Sequence, residues 1–250
     1  MSGIALCLAA ASWLWPFLGL PTVGTIQARE HTVDNYFKAV NVQTSAPDGL
    51  PASSASMALA YSAPGSPAES YARAWKEMWT AYSEAPTSDQ PEFHYHRFSN
   101  IMNVCQGPEE AGACLQYANL RFDEEQRIQD FTIQGLPVAQ LTFLESEKPT
   151  TVGQLSVTYL GGVQSPFGGS YKFAVRLRNN GKEPIVISDD LKFRTDANED
   201  LDLGVEGRLK LQVAQPSTLF AYTEGNHGGW VSMNVAEGGG EPTLLWFQVP

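Results

Sequence analysis

Acidic and amide side chains alternate along the stretch FRTDANEDLDLGVEGRL, residues 193–209. Side-chain oxygens are the ligands that calcium prefers. Four such residues stand two positions apart: Asp196, Asn198, Asp200 and Asp202. A helix–loop–helix calcium loop also needs a glycine at its sixth position and a glutamate at its twelfth, where this chain has Leu201 and Gly207. The stretch therefore predicts a polar strand connection that faces water, with a calcium site as the weaker alternative.

Two histidines, His94 and His96, lie two residues apart in the alternating segment EFHYHRF. Side chains of a strand repeat every two residues, so both imidazoles face the same side, where they could bind zinc or copper. The sequence nominates no third ligand, and the alternative is a solvent-facing side with Phe93 and Tyr95 buried. We therefore predict no metal site here and no cofactor.

Motifs for nucleophilic or nucleotide chemistry are missing from the sequence. It contains no GxSxG elbow, no Walker-type loop and no GxGxxG loop. A pair of catalytic carboxylates stays open, because two acids need only be close in space to hydrolyse a glycoside. These observations predict a protein that is not an enzyme.

Cys105 and Cys114 flank a short segment with glycine and proline in NVCQGPEEAGACLQY. A pair at this spacing can close a small loop, and an exported protein meets the oxidising conditions in which disulfides persist. The alternative is two reduced, buried thiols. We predict a Cys105–Cys114 disulfide.

The net charge of the chain argues against some classes of binding partner. The chain has 16 basic and 27 acidic residues, for a net charge of −11. A general nucleic-acid binder needs a positive surface to neutralise phosphates, so this composition argues against nucleic acid and against anionic lipid headgroups.

The N-terminal region predicts export. Residues 1–28 carry no charged side chain, and this tract fits a membrane anchor, which needs about 20 apolar residues, a cleaved signal peptide or, as the weaker alternative, a buried soluble segment. The first two alternatives place the rest of the chain outside the cytoplasm, anchored or secreted. The Ser-, Ala-, Pro- and Gly-rich segment 44–67 then predicts a flexible spacer over residues 29–67.

A helix is predicted over residues 68–84, in SPAESYARAWKEMWTAYSEA. Ser66 is a suitable cap, Pro67 suits the first helical position, and Glu69 falls three residues after the cap. Apolar side chains recur at helical spacing, including Trp75 and Trp79. We predict that this stripe packs on a sheet; the alternative is that it covers a ligand pocket close to His94 and His96.

Short strands follow the helix. The segments CLQYANLRF and RIQDFTI flank the polar turn DEEQ and predict a hairpin, so residues 68–148 form a small α+β unit containing the disulfide. From Gln154 onward, seven or eight alternating runs predict an all-β sandwich over 150–250, with a boundary at 145–154. Few apolar contacts should cross that boundary. The predicted sandwich core consists of Tyr171, Phe173, Val175, Leu177, Phe193, Leu211, Trp230 and Phe247.

The segment YKFAVRLRNNGKEPIVISDDLKFRTDANEDLDL resembles the immunoglobulin-like domains of exported bacterial proteins of unassigned function. The resemblance lies in a strand ending in N-x-G, a following strand opened by proline, and a hairpin with a polar tip. The segment LRFDEEQRIQDFTIQGLPV is similar to a hairpin that precedes such modules in exported actinobacterial proteins, although Glu124, Glu125 and Gln126 stand where those proteins have a turn glycine. The resemblance implies an immunoglobulin-like fold and brings no catalytic residues with it.

Two hypotheses of different class follow. The first is a non-enzymatic module, tethered to the membrane through its N-terminal segment, that binds an envelope protein or a cell-surface ligand. The second is a small-ligand-binding or hydrolytic domain with an apolar pocket under the helix. A filled core beneath the helix would favour the first hypothesis, and a deep cavity with converging polar groups would favour the second.

Overall fold

The fold is mostly antiparallel β-sheet with a few short helices, an arrangement consistent with a β-sandwich. It comes from a computed structural model that describes residues 23–41, 52–83, 93–107, 113–144 and 149–250.

The described residues form four helices: α1 (Val23–Asn41), α2 (Ala52–Ala60), α3 (Pro67–Ser83) and the single turn α4 (Val138–Leu141). The strands are β1 (Phe93–Phe98), β2 (Ile101–Gln106), β3 (Ala113–Phe122), β4 (Ile128–Ile133), β5 (Leu136–Pro137), β6 (Thr142–Leu144), β7 (Thr150–Val152), β8 (Leu155–Gln164), β9 (Tyr171–Asn179), β10 (Ile185–Ile187), β11 (Lys192–Thr195), β12 (Asp200–Gly207), β13 (Lys210–Leu211), β14 (Pro216–Thr223), β15 (Gly229–Glu237) and β16 (Thr243–Val249).

Helix α1 corrects the predicted spacer. Val33, Tyr36, Phe37 and Val40 follow helical spacing and are all buried in the same apolar cluster as α3. Ala58 of α2 is also fully buried there. The prediction of a flexible spacer over 29–67 is therefore wrong for the described part of that range, while residues 42–51 lie outside the described residues.

Most of the predicted anchor or signal segment, residues 1–22, also lies outside the described residues. Within the described ranges, no helix combines the length and the apolar character needed to cross a membrane.

A five-stranded antiparallel sheet follows α3, in the order β1-β2-β3-β4-β5. The predicted DEEQ hairpin is confirmed as the β3–β4 turn, where the Asp123 N–H donates to the Arg127 carbonyl. Gln126 has a φ of 64° in this turn, the left-handed conformation for which glycine is the usual residue. The pairing of β3 with β4 is irregular between Ala118 and Phe122 of β3.

The remaining strands form an antiparallel network in the order β13-β10-β15-β11-β12-β14-β9-β8-β6, with β16 beside β15 and β7 beside β8. Strand β12 pairs with β11 on one side and β14 on the other, so the network folds into two layers. One apolar cluster fills the space between the layers, including Phe173, Phe193 and Phe247. The predicted sandwich core is confirmed for these residues and for Tyr171, Val175, Leu177 and Leu211.

Trp230 departs from that prediction. Its side chain is 43% exposed, because Val231, Met233 and Val235 are the residues of β15 that face inward. Alternation along the strand then turns Trp230 outward.

Helix α3 packs between the five-stranded sheet and the outer face of the layer formed by β8, β9 and β14. Leu160, Val163, Ala174 and Phe220 of this layer belong to the same apolar cluster as α1 and α3. The expectation that few apolar contacts cross the 145–154 boundary is therefore wrong. The physical reason is that both faces of this layer are covered, one by the second layer and one by α3.

Candidate functional site

A cavity of about 420 Å³ opens beside α3, between the five-stranded sheet and the β8–β9 hairpin. Its volume falls within the range of about 300–1,000 Å³ that is typical of small-molecule sites. The residues that line it are Asn41, Tyr71, Trp75, Trp79, Phe93, Gln106, Leu115, Ile133, Val163, Gln164, Ser165, Pro166, Ser170, Lys172 and Phe220.

The helical wall consists of Tyr71, Trp75 and Trp79, which share one face of α3 because they lie four residues apart. The start of α3 is set as predicted: Ser66 Oγ accepts from the Glu69 N–H at 3.1 Å. The Glu69 carboxylate reaches back to the Gly65 N–H, so two backbone donors at the helix end are satisfied.

The two tryptophans stack, with ring centroids 5.2 Å apart and an angle of 29° between the planes. The Trp79 indole N–H donates to the Val40 carbonyl at 2.7 Å, which joins α3 to the end of α1. The buried Trp75 N–H makes no hydrogen bond of standard geometry with the described residues.

The second wall comes from the five-stranded sheet, where Phe93, Gln106, Leu115 and Ile133 belong to four successive strands. Phe93 lies directly opposite Gln106. The predicted disulfide is confirmed: Cys105 and Cys114 are opposite each other on β2 and β3 and are bonded. Each cysteine is the sequence neighbour of a lining residue, Gln106 or Leu115, so the disulfide stands beside the cavity wall.

The β8–β9 hairpin supplies the third wall and most of its polar groups. The Ser165 N–H donates to the Ser170 carbonyl at 2.8 Å and closes the hairpin. Gln164 is buried with both ends of its amide occupied, since Nε2 donates to the Ser170 carbonyl and Oε1 accepts from the His227 N–H. The hairpin is therefore held in place against the β14–β15 loop.

Lys172 is the only charged residue among the described residues that line the cavity. Within the described residues, no carboxylate lies within ion-pair distance of its ammonium group. Water reaches the side chain through the cavity, but the surrounding protein atoms lower the pKa of Lys172 by desolvation. Burial raises the pKa of Tyr71 to about 12, so its phenol is neutral at physiological pH.

The structure brings together only part of the predicted pocket set. Trp75 and Trp79 line the cavity, whereas His94 and His96 do not. Phe93 and Tyr95 of β1 pack on the apolar cluster, and Arg97 of the same face pairs with Glu30 of α1 at 2.7 Å. Alternation therefore places both histidines on the opposite face of β1.

The acidic stretch 193–209 forms the β11–β12 hairpin, with Asp196 and Asn198 in its connection. The Asp200 carboxylate accepts two hydrogen bonds from Arg194, at 2.7 and 2.9 Å. Asp202 accepts one from Lys192 at 2.8 Å. These carboxylates have cationic partners across the hairpin, and the described residues contain no cluster of three or more His, Cys, Asp or Glu that could hold a metal ion.

Sequence reasoning missed the hairpin wall. Lys172 alternates with Tyr171 and Phe173, so it lies on the face of the strand opposite the sandwich core, and the structure shows that this face meets α3. The connection SPFGGS carried the only local signal, because its two glycines mark a tight turn that brings Ser165 and Ser170 together.

Comparison with known proteins adds no assignment. The chain matches no protein-family model, and a search of curated proteins finds none with significant similarity to it.

Proposed function

We propose that the protein is a non-enzymatic binding module that holds a small, mainly apolar ligand in the cavity beside α3. The observation that carries this proposal is the cavity itself. Three separately built walls converge on it, and the polar groups lie mostly on one of them. Apolar clefts with a few oriented polar groups are the usual form of small-molecule sites.

The lining chemistry supports binding rather than turnover. The described lining residues include no carboxylate, imidazole or thiol, and within the described residues no hydrogen bond joins Lys172 to Ser165 or Ser170, so neither serine is paired with a base. Stacked indole rings offer a large apolar surface with little conformational freedom to lose.

The same proposal places the module outside the cytoplasm, held by its N-terminal segment or secreted, with its ligand drawn from the cell envelope. The Cys105–Cys114 disulfide supports an oxidising location. The uncharged tract 1–28 supports export.

The finer fold assignment is also part of the proposal. We assign residues 150–250 to an immunoglobulin-like sandwich and 68–148 to an α+β unit. The two-layered antiparallel arrangement and the pattern around YKFAVRLRNNG support the first assignment. The position of α3 on the five-stranded sheet supports the second.

Titration with decanol tests the binding proposal. Calorimetry should show one saturable site, and the fluorescence of the protein should change because Trp75 and Trp79 line the cavity. Two substitutions that fill the cavity, Val163→Phe and Leu115→Phe, should weaken binding. The control Val213→Phe enlarges a side chain that is 45% exposed and outside the cavity, and should bind decanol as the unchanged protein does. Equal binding by all four proteins would show that the probe lies elsewhere.

A further inference from the structure

The walls of the cavity differ in polarity according to the element that forms them. The α3 wall and the five-stranded sheet contribute mainly aromatic and aliphatic side chains, among them Trp75, Trp79, Leu115 and Ile133. The β8–β9 hairpin contributes Gln164, Ser165, Ser170 and Lys172. A ligand that satisfies both sides needs an apolar part and a polar group at opposite ends.

The charge of that polar group is indicated by Lys172. On the same face of β9, Arg176 is paired with Glu77 of α3 at 3.6 Å. Lys172, four residues earlier, faces the cavity and has no such partner among the described residues, in a chain whose net charge is −11. The Lys172 side chain is open to water through the cavity, and with no counter-ion among the described residues its ammonium group is available to pair with a bound anion.

The neighbouring groups on the hairpin suit an anion with oxygen acceptors. Ser165 Oγ accepts from the Phe167 N–H at 3.3 Å, which leaves its own O–H free to donate. Ser170 is a second serine of the cavity lining. The Gln164 amide is used by the protein, so on the hairpin wall the direct polar contacts of a ligand fall to the two serines and the lysine.

From these contacts we infer that the cavity is a site for an amphiphilic carboxylate, whose headgroup contacts Lys172 at the hairpin wall and whose apolar chain lies against the indole rings of α3. The inference rests on the proposed function and adds the chemical class and the orientation of the ligand. A lysine acts as a point charge and matches a carboxylate carried on a flexible chain.

Three probes with one chain length test the inference: decanoate, decanol and decylamine, each titrated into the full chain by calorimetry at pH 8. We expect decanoate to bind at least about tenfold more tightly than decanol, and decylamine to bind most weakly. Lys172→Met keeps an unbranched side chain of similar size and removes its charge, so it should abolish the preference for decanoate over decanol. Lys172→Glu should reverse the preference in favour of decylamine.

Lys182→Met is the matched control, because Lys182 is exposed and outside the cavity. It should retain the full preference for decanoate. If decanol binds as tightly as decanoate, or if the preference survives in Lys172→Met, the assignment of a carboxylate to Lys172 is overturned while the binding site stands. If none of the three probes binds saturably, the proposed function fails and the inference fails with it.

Discussion

Gly161 of β8 lies directly against Ala74 of α3. A Cβ atom placed on Gly161 would be 3.2 Å from the Ala74 Cα and 3.4 Å from its Cβ, and the φ of Gly161 is 144°. The pairing of β8 with β9 shifts register at this point, between Tyr159 and Gly161. Tyr159 faces the sandwich core and Leu160 faces α3 by ordinary alternation, and the shift then places Val163 on the α3 side as well.

We therefore predict that Gly161→Ala destabilises the protein by at least about 2 kcal/mol, since the backbone conformation is strained and the added carbon meets α3. Gly153→Ala is the control: its φ is also positive, at 60°, but nothing lies within 4 Å of the added carbon. It should cost only about 1 kcal/mol. Urea unfolding of the three proteins measures the difference, and equal costs would show that the helix contact has no energetic weight.

Strong periodicity made part of this fold predictable. The alternation of Tyr171, Phe173, Val175 and Leu177 places all four in one buried row, as the structure has them. The capping pattern at Ser66 and Glu69 likewise predicts the cap of α3, which spans Pro67–Ser83 against the predicted 68–84.

Helix α1 was missed because two signals competed. The segment is polar because it contains Arg29, Glu30, His31 and Asp34, and the apolar tract before it is typical of a membrane segment. The buried residues of α1, from Val33 to Val40, were present at helical spacing all along. Their burial depends on the five-stranded sheet and α3, which a local pattern does not reveal.

The residues that line the cavity were likewise predictable only in part from the sequence. Trp75 and Trp79 could be nominated because a helix face is a local property. Lys172 could not, since its surroundings come from α3 and from residues of the β8–β9 connection that meet only in the folded chain. Alternation states which face a side chain occupies but not what covers that face.

The pH dependence of stability gives a second prediction, through Glu69. The hydrogen bond from Arg73 and the one from the Gly65 N–H lower the pKa of Glu69 in the folded chain. Its contribution is therefore complete above the unfolded pKa of about 4.3 and is lost as the pH falls through the folded pKa. Glu69→Gln should cost about 1 kcal/mol at pH 7 and progressively less in acid.

Thermal melts of both proteins between pH 7 and pH 2.5 measure this effect. The difference in melting temperature should shrink as the pH falls. Glu124→Gln, at an exposed turn position, should leave the melting temperature almost unchanged throughout. A difference for Glu69→Gln that is constant with pH would contradict an ionised carboxylate at the start of α3.

The disulfide gives a third prediction. Cys105 and Cys114 are nine positions apart, and cross-linking a loop of this length stabilises by about 2–3 kcal/mol on the chain-entropy estimate. Replacing both cysteines by serine should lower the free energy of unfolding by that amount. It should also weaken decanol binding, because Gln106 and Leu115 line the cavity beside the bond.

The control is Cys7→Ser, which replaces the remaining cysteine. It should change neither the free energy of unfolding nor the binding of decanol. Peptide mapping under non-reducing conditions should recover Cys105 linked to Cys114. Free thiols at both positions in protein purified under oxidising conditions would rule the bond out.

The last prediction concerns a fragment of residues 149–250. All the buried residues of its inner core lie within the fragment, among them Phe173, Phe193 and Phe247, and the fragment lacks only the partly buried Phe143 that packs against this core. Its outer face loses α3, and this exposes Leu160, Val163, Ala174 and Phe220. We expect the fragment to give a β-type circular dichroism spectrum and a cooperative melt, and to self-associate through this apolar face.

Sedimentation of the fragment should therefore show dimers or larger species, and the double substitution Val163→Thr with Phe220→Thr should restore a monomer. Val186→Thr is the control, because Val186 is 45% exposed on β10, in the other layer, and should not change the association. A fragment that is monomeric without substitution would mean that the apolar face covered by α3 does not drive association. A fragment that melts without cooperativity would mean that α3 completes the sandwich itself. In that case the cavity would lie inside a single folding unit, because the helix that forms one of its walls would be part of the sandwich that forms another.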